Sequence, residues 1–258
     1  MNAGVTVVGF IVGVVVGLTG MGGGSLLTPL LVLVFGVHAI NAVGSDLVSS
    51  VPMKIAGAIA HYRQRTLNGG LVLLLCAGGL PGALLGLQIL NRFEQTLGAY
   101  QVNVFVGRVL GVALVLSAIA LLAGMIFRRD EPETREFTWN RSNIFRVPLV
   151  GFAVGVLVSI TSIGSGSLTL PLLFIIMPQI GLRRLIGSDI AFAAILIPVA
   201  AAGHWKLGSV NAPLVLSLLL GSVPGVLLGS KLCAVVSPRY FRPVLAGVMV
   251  FIGTRLFL

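Results

Sequence analysis

The feature that most restricts this chain is an internal duplication. Residues 9–31, shifted by 142 positions, match residues 151–173 at fourteen of twenty-three positions. Agreement between aliphatic residues means little, but scarcer residues also fall in register: Phe10 with Phe152, Thr19 with Thr161, Ser25 with Ser167 and Pro29 with Pro171. One inserted residue raises the shift to 143. Gly44-Ser45-Asp46 then meets Gly187-Ser188-Asp189, His61 meets His204, Asn68 meets Asn211, and Pro81-Gly82 meets Pro224-Gly225. The pattern holds over about the first 80 residues of each half, a period that marks a repeated structural unit. The last segment of each half aligns poorly.

Composition says what kind of unit is repeated. Hydrophobic residues make up 57% of the chain and charged residues only 9%, against roughly 25% charged in a soluble domain. At about 20 apolar residues per crossing, a mean hydropathy of +1.07 leaves room for on the order of eight helical segments and little else. The expectation is an all-α polytopic membrane protein. Each half divides alike: a glycine-broken apolar stretch (4–36 and 147–177) precedes three helical runs, near 45–61, 69–90 and 99–127, and again near 188–204, 211–236 and 240–257. The units are a first membrane repeat (1–127), a linker (128–146) and a second repeat (147–258). The linker holds Arg128-Arg129, four acids, Pro132 and Trp139, and reads as solvated. Cys76 and Cys233 lie in apolar runs and form no metal-ligand cluster. The first twenty residues lack a basic n-region and an A-x-A cleavage pattern and read as mature protein.

The net charge of +10 belongs to loops rather than to a nucleic-acid-binding stripe, since no basic run with interleaved aromatics exists. If the broken stretch returns to its starting side or crosses twice, one side collects twelve basic residues and the other three: Arg92, Lys206 and Arg255. Single crossings by all eight segments give nine against six. The larger bias favours an odd number of crossings per half, which turns the second repeat upside down. Two inverted repeats with broken helices meeting near the midplane are a transporter architecture. The linker is then cytoplasmic and both termini external. Eight simple crossings with parallel repeats are the alternative.

Gly-Leu-Thr-Gly-Met-Gly-Gly-Gly-Ser-Leu-Leu-Thr-Pro-Leu (17–30) and Ser-Ile-Thr-Ser-Ile-Gly-Ser-Gly-Ser-Leu-Thr-Leu-Pro-Leu (159–172) are paired elements. With the two Gly-Ser-Asp triplets and the Pro-Gly-x-Leu-Leu-Gly elements at 81–86 and 224–229, they resemble the sulfite exporter TauE/SafE family of membrane permeases. The resemblance covers the chain except the linker. It implies an inner-membrane transporter of sulfite, sulfonates or other small organic anions, in either direction. Gly164-Ser165-Gly166 departs from the all-glycine run, which leaves the equivalence of the two half-sites open.

A compact oxyanion leaves water only where several oriented donors replace its hydration. Gly22, Gly23 and Gly24 let the backbone break, and Ser25 can cap a helix that starts there with its positive end toward the break. The equivalent break, Gly164, Ser165, Gly166 and Ser167, supplies a second donor set, and Thr19 and Thr161 add hydroxyls. The other reading is that small residues merely let helices pack closely. Lys54 lies about 13 Å into its helix at 1.5 Å per residue, where an ammonium needs a partner: the substrate, an Asp or headgroups. Arg108 poses the same question more weakly.

Five of the seven acids lie in the 91–98 loop or the linker; the other two are Asp46 and Asp189, at matching positions. Embedded carboxylates suggest proton coupling or gating, whereas Gly-Ser-Asp before an apolar run also reads as an N-terminal cap. His61 and His204 each end a helical run and precede an aromatic and a base. That pattern suits interfacial anchoring, or proton relay and gating. No cofactor is expected. Ser165 or Ser167 with His204 could be drawn as a protease dyad, but serine and histidine recur at Ser25 and His61, which argues against an enzyme. The sharper rival to a carrier is an anion-selective channel built on the same helix ends.

Overall fold

A computed structural model describes residues 3–19, 23–126, 141–232 and 241–257. Every element among them is helical: α1 (Ala3–Thr19), a single 3-10 turn (Gly23–Ser25), α2 (Leu27–Phe35), α3 (Ala39–Arg63), α4 (Gly69–Ile126), α5 (Arg141–Thr161), α6 (Thr169–Ile176), α7 (Leu182–Lys206), α8 (Ala212–Leu232) and α9 (Phe241–Phe257). Of these, α4, α5, α7 and α8 are long and apolar enough to cross a bilayer, and the α1–α2 pair makes a fifth candidate span. That pair is bent by 120°. With nine and eight residues, α2 and α6 reach only about 12–13 Å at 1.5 Å per residue, under half of a ~30 Å hydrocarbon core.

Three expected boundaries move. The Gly-Ser-Asp triplets are not caps. Gly44, Ser45 and Asp46 lie in the second turn of α3, which starts at Ala39, and Gly187, Ser188 and Asp189 lie equally far into α7. At the start of α3 the Asn103 side chain from α4 accepts the Ala39 amide, one of the amides that a helix start leaves without an intrahelical partner. The expected loop at 91–98 is helical up to Gly98. There a left-handed φ of 79°, with ψ 165°, turns the chain between the two arms of α4, a conformation that glycine adopts without a Cβ penalty. Thr96 Oγ1 bonds back to the Arg92 carbonyl just before this turn, a contact that favours bending of a helix. Finally, α5 begins at Arg141, inside the expected linker, whose residues 128–140 lie outside those described.

The halves interlock by exchanging equivalent contacts. The Asn68 amide donates to Ser188 Oγ, and the Asn211 amide donates to Ser45 Oγ, both at 3.0 Å. These four residues are the same two positions of the repeat. Glycine seams follow the same rule. A Cβ at Gly82 would strike Phe152 and one at Gly225 would strike Phe10; Gly78 faces Pro148 and Gly221 faces Thr6. Thus α1 lies along α8 while α5 lies along the first arm of α4. Such reciprocity, in which i meets j and j meets i, is the mark of a two-fold relation. It reaches the last helices, where sequence alignment failed: a Cβ at Gly111 would come 2.6 Å from the Gly253 carbonyl oxygen, and one at Gly253 would come 2.8 Å from that of Gly111.

The equivalent helices α3 and α7 run antiparallel: Gly44, near the start of α3, abuts His204 and Ser209 at the far end of α7, and Gly187, near the start of α7, abuts Thr66 just beyond α3. Gly111 also lies by Phe257, and Gly253 by Val115.

Candidate functional site

The two breaks meet. A Cβ on Gly24, in the 3-10 turn that separates α1 from α2, would collide with the Ser162 carbonyl at the end of α5. Ser162 has φ 61°, Gly164 φ 143° and Gly166 φ 87°, so the chain leaves α5 through conformations that bar it from continuing as a helix. A left-handed serine costs about 1–2 kcal/mol, and at Ser162 the strain places a hydroxyl. Ser162 Oγ donates to Asp46 Oδ2 at 2.7 Å, and Thr28 Oγ1, from α2, donates to the same oxygen at 2.8 Å. Asp46 therefore ties its own half's short helix to the other half's break.

Asp189 stands at the same position of the second half, where the Thr169 hydroxyl on α6 and the Gly166 amide act on it; Thr169 Oγ1 itself donates to the Gly164 carbonyl at 3.0 Å. Both carboxylates are buried, at 0% and 1% exposure, and on each the Oδ1 atom has no hydrogen-bond partner among the described residues. An unpartnered buried carboxylate oxygen is costly, and here the cost recurs at two equivalent positions. Lys54 is half-buried and acts electrostatically on both acids.

Gly23, Ser25, Ser165 and Ser167 are buried beside this cluster. Ser117, from the second arm of α4, donates to Ser167 Oγ at 3.2 Å. Gly23 is buried, yet among the described residues, its chain neighbours aside, a Cβ built on it would meet no atom within 4 Å, which leaves room there for a small group. Ser25 is not the cap of α2: the cap position is Leu26, and its side chain makes no capping bond. α6 likewise starts after Leu168 without a side-chain cap.

Other expected residues stand apart. The Thr161 hydroxyl turns back to the Leu157 carbonyl at 2.7 Å and accepts the Ile163 amide, sealing the end of its own helix. Gly22 and the side chain of Thr19 lie outside the described residues. His204 is no interfacial anchor. It is fully buried, with Nδ1 2.8 Å from Ser209 Oγ and Nε2 2.7 Å from the Ser159 carbonyl oxygen. Those contacts also leave no ring nitrogen for Ser165 or Ser167. His61 repeats the first bond, to Thr66 Oγ1 at 2.8 Å, but is only half-buried. Sequence reasoning missed Thr28, Ser162 and Thr169. Only the placement of polar residues within or just after each break hinted at them.

The sequence profile of the sulfite exporter TauE/SafE family matches residues 5–256. The probable membrane transporter protein YjnA of Bacillus subtilis (strain 168) is 36% identical over 99% of this chain and 100% of its own length. The probable membrane transporter protein YdhB of the same organism is 24% identical over 93% of this chain and 96% of its own. The probable membrane transporter protein MJ0441 of Methanocaldococcus jannaschii is 23% identical over 96% and 92%. No solved structure matches. A helical chain with several apolar spans, whose two interrupted segments converge on buried acids, is matched along nearly all its length by these transporters: it belongs to the sulfite exporter TauE/SafE family.

Proposed function

We propose that this protein is a secondary transporter that moves sulfite, a sulfonate or a related small organic anion across the inner membrane, coupled to protons. The observation that carries this reading is the meeting of the two breaks at Asp46, with open space beside the buried Gly23. Serine hydroxyls and amides freed at the breaks are the donors an oxyanion requires. The antiparallel run of α3 against α7 supports inverted repeats. With the positive-inside bias, it supports a cytoplasmic linker and external termini.

Charge explains the coupling. Two carboxylates and one ammonium sum to minus one, and an incoming monoanion would make minus two in a medium where unit charges interact far more strongly than in water. Proton uptake at Asp46 or Asp189 removes that barrier, so substrate and proton travel together. A carboxylate that takes up a proton can still use its hydroxyl contacts, which keeps the two halves joined through the cycle.

Proteoliposome flux tests the reading. Sulfite or sulfonate movement should saturate with substrate and follow an imposed pH gradient; ohmic current without saturation would favour the channel. Asp46→Asn keeps an acceptor for Thr28 and Ser162 but cannot exchange a proton, so transport should persist without responding to the gradient. If its proton dependence matches that of the unaltered protein, Asp46 is not the coupling group.

A further inference from the structure

Among the described residues, the two-fold relation fails along one helix face. On α7 the face formed by Leu196, Ile197, Ala200, Ala201 and His204 is buried throughout. The equivalent face of α3, Met53, Lys54, Gly57, Ala58 and His61, is half-exposed at every position. The two faces have the same register, so the contrast reflects different surroundings and not different helical phase. The buried end is latched: His204 Nε2 bonds the Ser159 carbonyl oxygen, one of the last four carbonyls of α5, which lack intrahelical partners. Over the same end, a Cβ on Gly203 would run into the Leu87 side chain. Repeat arithmetic places Gly17, near the end of α1, where Ser159 stands on α5. His61 meets Thr66 through Nδ1, but the structure shows no bond from its Nε2 to Gly17.

We infer that the α3 face Met53–His61 lines an aqueous path from the 61–68 end of the molecule to Asp46, and that His61 and His204 are alternating latches. In the state described, the path is open on the 61–68 side and shut at His204. In the opposite state His204 releases Ser159, its face opens, and His61 closes its own end on the Gly17 carbonyl. The inference rests on the transport reading, because alternating access needs a site between the two ends. Loop charge puts the open end on the cytoplasmic side.

Single cysteines test it in a background with Cys76 and Cys233 replaced by serine. A charged, membrane-impermeant maleimide labels water-exposed thiols and leaves lipid-facing ones untouched. Gly57→Cys and Ala58→Cys should react from the cytoplasmic side only, at least about tenfold faster than Ala200→Cys and Ala201→Cys, since a minor conformer holds at most about a tenth of the population. Adding His204→Ala should speed labelling of Ala200→Cys from the opposite side about fivefold, the shift expected from losing one buried hydrogen bond. His204→Gln, which restores a donor, should bring the rate back. Equal labelling of both faces, or protection of both, overturns the inference without any latch variant having to fold. So does a His204→Ala protein that folds and leaves Ala200→Cys unchanged. Side-selective labelling without sulfite or sulfonate flux would uphold the latches and reject the substrate; flux with symmetric labelling would do the reverse.

Discussion

The glycine seams and the α3–α7 axis obey the duplication to different degrees. Along the seams, where α1 lies on α8 and α5 on α4, each close approach has its twin: Gly78 on Pro148 and Gly221 on Thr6, Gly82 on Phe152 and Gly225 on Phe10. Along the axis, α3 and α7 share their serine and histidine bonds at both ends, but one C-terminal face is packed and the other is not. Backbone-to-backbone packing has little room to slide, because a shift of a few tenths of an ångström becomes overlap. Side-chain contacts and single hydrogen bonds can be exchanged. The seams therefore make a frame, and the departure from symmetry falls on the C-terminal faces of α3 and α7, where side chains make the contacts.

Substitutions can break this contrast. The largest effect is expected in the seams: Gly78→Leu or Gly221→Leu should destabilise by about 3 kcal/mol or more through overpacking, seen as loss of the monodisperse peak after detergent extraction. Gly23→Leu, a change of the same size at a buried but open position, should extract normally and fail in anion flux. Normal flux in that variant would remove the break from the binding site. Next comes Asp46→Ala, which strips the shared acceptor from Thr28 and Ser162. It should lower the melting temperature and abolish transport, while Asp46→Asn retains the melting temperature. The smallest expected effect sharpens the symmetric part: Ser45→Ala and Ser188→Ala each remove the acceptor for one cross-half amide and should each cost about 1 kcal/mol. Markedly unequal melting shifts would show that the frame, too, departs from the two-fold.

Much of the frame was legible because scarce residues mark it. Asn68, Asn211, Ser45 and Ser188 stand out against aliphatic runs, and their shared spacing marks them as equivalent positions, although the bonds they exchange appear only in the fold. The last helices were not legible. Gly111 and Gly253 are also 142 apart, but their neighbours are interchangeable aliphatics, and an alignment cannot distinguish one leucine from another. The start of α3 was missed for a different reason: the group that accepts its first amide, Asn103, is 64 positions away. The partners of Asp46 follow the same logic, since Ser162 is 116 positions distant and no local pattern links the two. Local spacing identified which residues belong near the breaks; only folding showed that Thr161 spends its hydroxyl on its own helix while the adjacent Ser162 offers its own across the molecule.

The exchange of neighbours has a bearing on ancestry and on assembly. Neither half covers its own first helix, since α1 lies against α8 and α5 against α4. A single half-length polypeptide would leave those glycine faces bare until it met a twin, so the forerunner of this chain is best pictured as a homodimer that exchanged these contacts. The covalent connection through residues 128–146 would then be a later convenience. Two separately synthesised pieces, cut within that stretch, should still find one another in the bilayer and rebuild the same bundle.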